Sequence, residues 1–374
     1  MHHTILTLLQ LVANILLLLV PLTASHSTNP HPPTAIISNR NNKHPHNKCP
    51  PIPPGRQTIQ SYQLYPESIS WDGRLCQAYL SVLYNSSIAI YSPYTSSITI
   101  LPIPAHSQTL NPTYHIGATV WDKHTSLITA VVTQALAFRS GGVNISGNNW
   151  LNRYDPVGQR WLWSANLTTV SQNRYGGFQD LSFDADGNSF VAGTFPGTIL
   201  KVDKTGEKIT EWYVTPVVNR TVAGFSGIAV VGRSLLVTDE GKGELFRFQD
   251  IRAEKGAEPV RVPVEPVPTI VRSDAMRLPE KYGGKVLLIT DQGRGVLVLR
   301  SRDRWRTAEY LGLVPNDATL PPGALTAGVS QMADRIYMLP NWFFEPKVEG
   351  TLAGNRSTFY LVDITTEVDE LLTK

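Results

Sequence analysis

The chain has 374 residues, a formal charge of +3 at neutral pH and only 17% charged residues. No block of Lys or Arg stands out, so nucleic acid is excluded as an expected partner. The length is long for one sandwich but ordinary for a closed array of small sheets.

Residues 1–24 read as a signal peptide. Met1-His2-His3-Thr4 precedes an apolar stretch, Ile5 to Val20, and Pro21-Leu22-Thr23-Ala24 suits cleavage near Ala24 or Ser25. The competing reading is an uncleaved anchor. Gln10, Asn14 and Pro21 argue against a stable membrane span. The expected location is the secretory pathway or the extracellular space. Five Asn-x-Ser/Thr sequons, at Asn85, Asn144, Asn166, Asn219 and Asn355, agree with that entry and are candidate glycosylation sites. The two cysteines, Cys49 and Cys76, are then expected to form one disulfide that staples an N-terminal tail to the first sheet. Residues 25–56 are rich in Pro, His and Asn and read as that tail. Its histidines, His26, His31, His44 and His46, lack the rigid frame that a metal site needs.

From residue 57 to 374 one pattern recurs. It is plainest over Gly176 to Val214, where apolar runs alternate with the turn clusters Asp184-Ala-Asp-Gly-Asn188, Phe195-Pro-Gly197 and Asp203-Lys-Thr-Gly206. Gly and Asn tolerate the positive φ that tight turns require. Four short strands and three turns in this span describe one antiparallel sheet, too small to bury both faces alone. Related runs start at Glu67, Gly117, Gln179, Ser226, Asp274 and Gly328, separated by 50, 62, 47, 48 and 54 residues. No run has the spacing of a long amphipathic helix. The expected fold is all-β: a six-bladed β-propeller of four-stranded antiparallel blades.

In such a fold the starts of the inner strands and the ends of the second strands meet at one mouth of the central channel. The first set is the six starts named above. The second falls near Tyr84, Gln134, Thr194–Phe195, Asp239–Glu240, Asp291–Gln292 and Asn341–Trp342–Phe343. Carboxylates, aromatics and two glycines at one mouth have the composition of a small-molecule pocket. Asp239 and Asp291 sit in ordinary turn sequences. Glu67 and Asp274 open apolar strands, where a carboxylate is less expected. His115 precedes the second inner strand and is placed to reach the mouth or to serve its turn.

Three stretches resemble the regucalcin, gluconolactonase and strictosidine-synthase-like group of propellers. They are Phe178-Gln-Asp-Leu-Ser-Phe-Asp-Ala-Asp-Gly187, Glu67-Ser-Ile-Ser-Trp71 and Ser273-Asp-Ala-Met276. In that group's lactonases a Glu, an Asn and an Asp hold a divalent metal. Glu67 and Asp274 match the carboxylates, but Ser226 stands where the metal-binding Asn would be and Gln179 replaces a further pocket Asn. A Ser hydroxyl is a poor ligand for a hard cation. The signal segment, sequons and blade sequences together resemble secreted fungal propellers of secondary-metabolite clusters. These include hetero-Diels–Alderases of tropolone–sesquiterpenoid pathways and relatives of the trichothecene-cluster propeller.

That resemblance implies a cofactor-independent pericyclase, which aligns an o-quinone methide with an apolar terpene alkene for [4+2] addition. Its partners are small molecules, and nothing in the sequence specifies an oligomeric state. The candidate site residues for that chemistry are Gln179, Ser226 and Arg294 as polar contacts, and Glu67 and Asp274 as acid/base or metal remnants. Phe195, Trp342 and Phe343 are the walls, with His115 beside them. Two other readings stay open: a Ca- or Zn-dependent lactonase-like hydrolase using Glu67 and Asp274, and a non-catalytic binding propeller. The sequence carries no Gly-x-Ser-x-Gly elbow and no phosphate loop.

Overall fold

The computed structural model describes residues 49–107, 113–216 and 219–373. The expected signal segment and the tail histidines lie outside the described residues.

Six antiparallel sheets form, one for each expected repeat. Their inner strands are Pro66–Asp72, Tyr114–Asp122, Gly176–Phe183, Phe225–Val231, Ser273–Arg277 and Leu325–Met332. They head blades one to six. The protein is a six-bladed β-propeller, as the spacing of the repeats predicts. Two glycines show how tightly it is built. Gly187 takes φ 84° in the turn after the third inner strand, a conformation costly for other residues. Gly117 lies so close to blade three that a Cβ there would meet Gln179 Cα at 2.6 Å.

Blade six is completed by the other end of the chain. Gln57–Gln60 pairs antiparallel with Thr358–Leu361, so the ring closes through hydrogen bonds rather than by packing alone. This leaves no long bare edge at the seam. Blade five carries a fifth strand, Val264–Glu265, parallel to Ala308–Pro315. The core lies between blades. Phe190 and Trp212 of blade three, for example, pack with Phe225 and Phe248 of blade four. The ring centroids of Trp212 lie 5.2 Å from Phe190 and 5.0 Å from Phe248. Burying each such side chain contributes about 1.5–3 kcal/mol.

Strand direction sorts every connection to one of two faces. Inner strands start at the mouth face. Second strands return to it, third strands leave it and outer strands come back. The mouth face therefore holds the 83–86, 135–149, 240–243 and 342–357 connections and the links between blades. The opposite face holds the inner-hairpin turns and the C-terminal helix Thr365–Leu372.

Residues 49–56 sit on the opposite face. Ile52 is buried in the first core cluster. Its N–H donates to Asp334 Oδ1 (3.0 Å) and its carbonyl accepts from Arg335 Nε (2.7 Å). Cys49 and Cys76 form the expected disulfide to the first blade, across 27 residues of sequence. Closing a loop of that length restricts the unfolded chain by roughly 3 kcal/mol. The C49S/C76S variant is accordingly expected to unfold at lower urea, with a loss near that value. A midpoint unchanged from the oxidised parent would contradict it.

Candidate functional site

All six inner strands carry a β-bulge just inside the mouth. The irregularities fall between Pro66 and Ile69, Ile116 and Ala118, Phe178 and Asp180, Phe225 and Ile228, Ser273 and Met276, and Thr326 and Gly328. Glu67, Gly117, Gln179, Ser226 and Asp274 are thus bulge residues in the first five blades. A bulge re-aims a side chain away from the regular in-and-out alternation.

The bulges of blades one and five bring Glu67 and Asp274 into mutual electrostatic range. Each receives one amide from a second-strand end. Asn341 Nδ2 donates to Glu67 Oε2 at 3.4 Å, and Gln292 Nε2 donates to Asp274 Oδ2 at 3.0 Å. Burial first, and then repulsion from Asp274, raises the Glu67 carboxyl well above the usual range. Burial, opposed by the Gln292 N–H and reinforced by repulsion from Glu240 and Asp180, pushes Asp274 up to about 7. Glu240, also at a second-strand end, is raised by burial as well. Burial at the mouth therefore favours the protonated form of all three carboxyl groups.

A largely buried ion pair links blades three and five. Arg277 of blade five donates to both oxygens of Asp180 of blade three, at 2.9 and 3.1 Å. Asp180 also accepts the backbone N–H of Leu181 and, from blade four, that of Ile228. Three blades are tied at one carboxylate.

A second cluster lies beside Glu67. The Tyr84 ring meets the edges of His115 and Tyr65, each at 5.4 Å between centroids. Lys347 reaches in from the 342–357 connection. Its ammonium lies 4.6 Å over the Tyr84 ring, donates to the Phe343 carbonyl at 2.8 Å and lies 3.3 Å from the Tyr84 hydroxyl. His115 is 8% exposed, and its Nε2 is buried without a hydrogen-bond partner among the described residues. Burial first, then the Arg139 and Lys347 charges, lower its pKa to about 3, so the imidazole is neutral at physiological pH. Arg139 ends the short helix that follows the second strand of blade two, and has no ion-pair partner among the described residues.

The other expected residues are distributed differently. Gln179 is half-buried on its bulge. Ser226 is wholly buried, its hydroxyl shared with Ser273 (2.8 Å) and Thr238 (2.9 Å). Arg294 lies on the mouth-face turn after Asp291, with Nε 3.5 Å from that carboxylate. Phe195 packs on Phe138 at 5.5 Å, with Ile145 and Ala137, beneath the 135–149 connection. Trp342 is fully buried, with the Arg356 guanidinium 3.9 Å over its ring. Phe343 is half-buried and contributes its carbonyl to the Lys347 and Tyr84 hydroxyl contacts. Glu67, Asp274, His115 and Phe343 are thereby gathered with Tyr84, Lys347, Gln292 and Asn341. Phe195 and Trp342 are engaged in packing.

Two relatives match most of this chain. Trichothecene biosynthesis protein 14 of Trichoderma arundinaceum is 38% identical over 339 residues, which covers 87% of this chain and 92% of the relative. Core trichothecene cluster (CTC) protein 14 of Fusarium sporotrichioides is 32% identical over 345 residues, covering 87% and 88%. The chain belongs to this trichothecene cluster protein 14 family. No family model matches it. Among solved structures, the Malassezia sympodialis allergen Mala s 1 superposes with a TM-score of 0.70 at 20% identity, covering 83% of this chain and 96% of the allergen. Regucalcin of Agrobacterium tumefaciens, a calcium-binding protein, superposes with a TM-score of 0.52 at 13% identity, covering 83% and 94%. At these identities the two likenesses concern fold.

For this member of the cluster protein 14 family, the donor set at the mouth can be tested against a divalent metal. Among the described residues no group of three or more His, Cys, Asp or Glu is disposed to hold one. Glu67 and Asp274 supply two carboxylates. The Asn341 side-chain oxygen accepts the Trp342 N–H at 2.7 Å. Calcium draws six to eight oxygens and zinc four ligands. Two carboxylates alone fall short of either ligand set. What the arrangement can do by itself is hold one carboxyl protonated and another ionised within one water-poor mouth.

Proposed function

We propose that this member of the cluster protein 14 family is a cofactor-independent cyclase acting on an oxygenated secondary metabolite. The relatives' names support a biosynthetic role of this kind, in trichothecene formation or the formation of a similar metabolite. The observation that carries the reading is the Glu67–Asp274 pair, two buried carboxyl groups on the bulges of blades one and five, within electrostatic range of each other at one channel mouth.

A pair of this kind is an acid and a base in one place. The protonated carboxyl gives its proton to a substrate hydroxyl, the carbon–oxygen bond breaks and water leaves. The ionised carboxyl takes the proton released from the substrate oxygen that becomes conjugated to the new double bond. The net change is loss of one water, and the pair has exchanged roles. In the finer form of the proposal the product of that step is an o-quinone methide, and an apolar alkene held against it closes the ring by [4+2] addition. Near-attack alignment then lowers the barrier by several kcal/mol. Lys347, over the Tyr84 ring, and Arg139, whose charge reaches His115, are the donors proposed for the conjugated oxygen.

The direct test is removal of the gene from a producing host. The expected result is accumulation of an uncyclised precursor that still carries the hydroxyl lost in the reaction, and its dehydration and ring closure, with the alkene supplied, by the purified full chain in excess EDTA. An unchanged metabolite profile, or complete loss of conversion on chelation, would reject the proposal.

A further inference from the structure

All five sequons fall on one face of the propeller. Asn85 lies in the 83–86 turn, Asn144 in the 135–149 connection and Asn355 in the 342–357 connection, each of which follows a second strand. Asn166 ends the outer strand of blade two, and Asn219 lies in the link from blade three to blade four. By the strand directions given above, every one of these is on the mouth face. The turns of the opposite face carry no sequon, although they are polar and exposed at many positions.

The side chains of three of the five are also prepared chemically. An N-glycan replaces a hydrogen on the asparagine Nδ2 and leaves Oδ1 free to accept. Asn144 Oδ1 accepts the Ser146 hydroxyl at 2.7 Å and the Ser146 N–H at 3.0 Å. Asn219 Oδ1 accepts the Thr221 hydroxyl at 2.8 Å and its N–H at 3.2 Å. In both, Nδ2 has no partner among the described residues, and both residues are exposed. Asn355 is exposed too, and its side chain makes no hydrogen bond among the described residues. The other two sequons differ. Asn166 Nδ2 donates to Asn148 at 3.3 Å. Asn85 has its Oδ1 buried, and the Ser87 that completes its sequon is fully buried.

We propose that Asn144, Asn219 and Asn355 carry N-linked glycans that form a rim around the channel mouth, while the opposite face stays bare. The bare face is the one that holds residues 49–56, the Cys49–Cys76 bridge and the C-terminal helix. In the modification the asparagine Nδ2 bonds to the anomeric carbon of a lipid-pyrophosphate-linked oligosaccharide. The bond from that carbon to the pyrophosphate oxygen breaks, the lipid pyrophosphate leaves and the amide proton passes to solvent. The Cys49–Cys76 disulfide agrees with the oxidising compartment where that donor is found. A sugar rim leaves the mouth open to small molecules and keeps macromolecules from it.

The experiment uses the full natural chain, expressed in a filamentous-fungal host and recovered with its bridge oxidised. Glycans are released enzymatically in heavy-oxygen water and the marked asparagines are mapped by mass spectrometry. Marks at Asn144, Asn219 and Asn355 are expected, with the N144Q/N219Q/N355Q variant losing the corresponding mobility shift. Additional marks at Asn85 or Asn166 enlarge the same rim and agree with the proposal. Unmarked asparagine at the three sites overturns it, whether or not the chain has entered the secretory pathway.

Discussion

Asp274→Asn is expected to lower turnover by about 10²–10⁴-fold, the usual contribution of a positioned acid or base, while raising thermal stability at pH 8. The two effects have one cause. Burial and neighbouring carboxylates lift Asp274 to about 7, against about 3.9 for an unfolded aspartate. Between those values the folded protein binds more protons than the unfolded chain, so the stability of the parent falls as pH rises. The contribution is fully present below pH 4 and is lost by the time the pH has passed 7. Asn cannot ionise, so the variant escapes the loss. It retains an oxygen for the Gln292 amide, which now donates at 3.0 Å. The melting temperature of D274N should match the parent near pH 4 and exceed it by several degrees at pH 8. E67Q should behave alike, since burial and Asp274 raise Glu67 in the same direction. Full activity in either variant would remove the acid–base pair from the mechanism. A melting curve with no pH-dependent gain would show that the carboxyls are not held protonated by the fold.

The largest expected loss of stability comes from Arg277→Met. Asp180 is 2% exposed and depends on Arg277 of blade five for two hydrogen bonds. Removing one partner of a buried pair leaves an uncompensated charge, at about 3–5 kcal/mol. Burial already raises Asp180 against the opposing pull of Arg277. Without Arg277 its carboxyl rises further, so the deficit should be smaller at pH 5 than at pH 8. The D180N/R277M double variant should recover part of the loss, because the unpaired charge is gone, although the single amide oxygen can accept only one of the two N–H groups, Leu181 or Ile228, that the carboxylate holds on separate oxygens. Urea unfolding at the two pH values decides the matter. A single-variant loss below 1 kcal/mol at pH 8 would mean that blades three and five are not held by this pair.

Much of the site was legible because the propeller converts sequence position into spatial position. A repeat whose first apolar run starts at a known residue places that residue at the mouth, and the end of the next run beside it. That logic put Glu67 and Asp274 in one place, and put Asn341, Gln292, Glu240 and Tyr84 near them. It did not distinguish which of these touch which. Trp342 and Asn341 are adjacent in sequence, yet the indole is buried under Arg356 while the Asn341 amide bonds Glu67. Alternation along a strand says that neighbours point apart, but not which of the two spaces is the site. Lys347 had no signal at all. It lies in an irregular connection, where no periodicity reports direction, and it reaches Tyr84 across 263 residues of sequence.

The sequence by itself determined the six-fold repeat, the turn positions, the Cys49–Cys76 partnership and the choice of carboxyl-bearing strand starts. Each is a local property: alternation, turn chemistry, residue type, or a count of two cysteines. Only the tertiary structure decided that Gln57–Gln60 closes blade six, that six bulges aim the strand starts, and that Arg277 crosses to Asp180. These depend on ring closure, which brings residues near opposite ends of the chain to one axis. The protonation of Glu67 and Asp274 belongs to the same class. A carboxyl is ordinary in sequence, and it becomes an acid near neutral pH only when a fold removes its water and sets another carboxyl beside it.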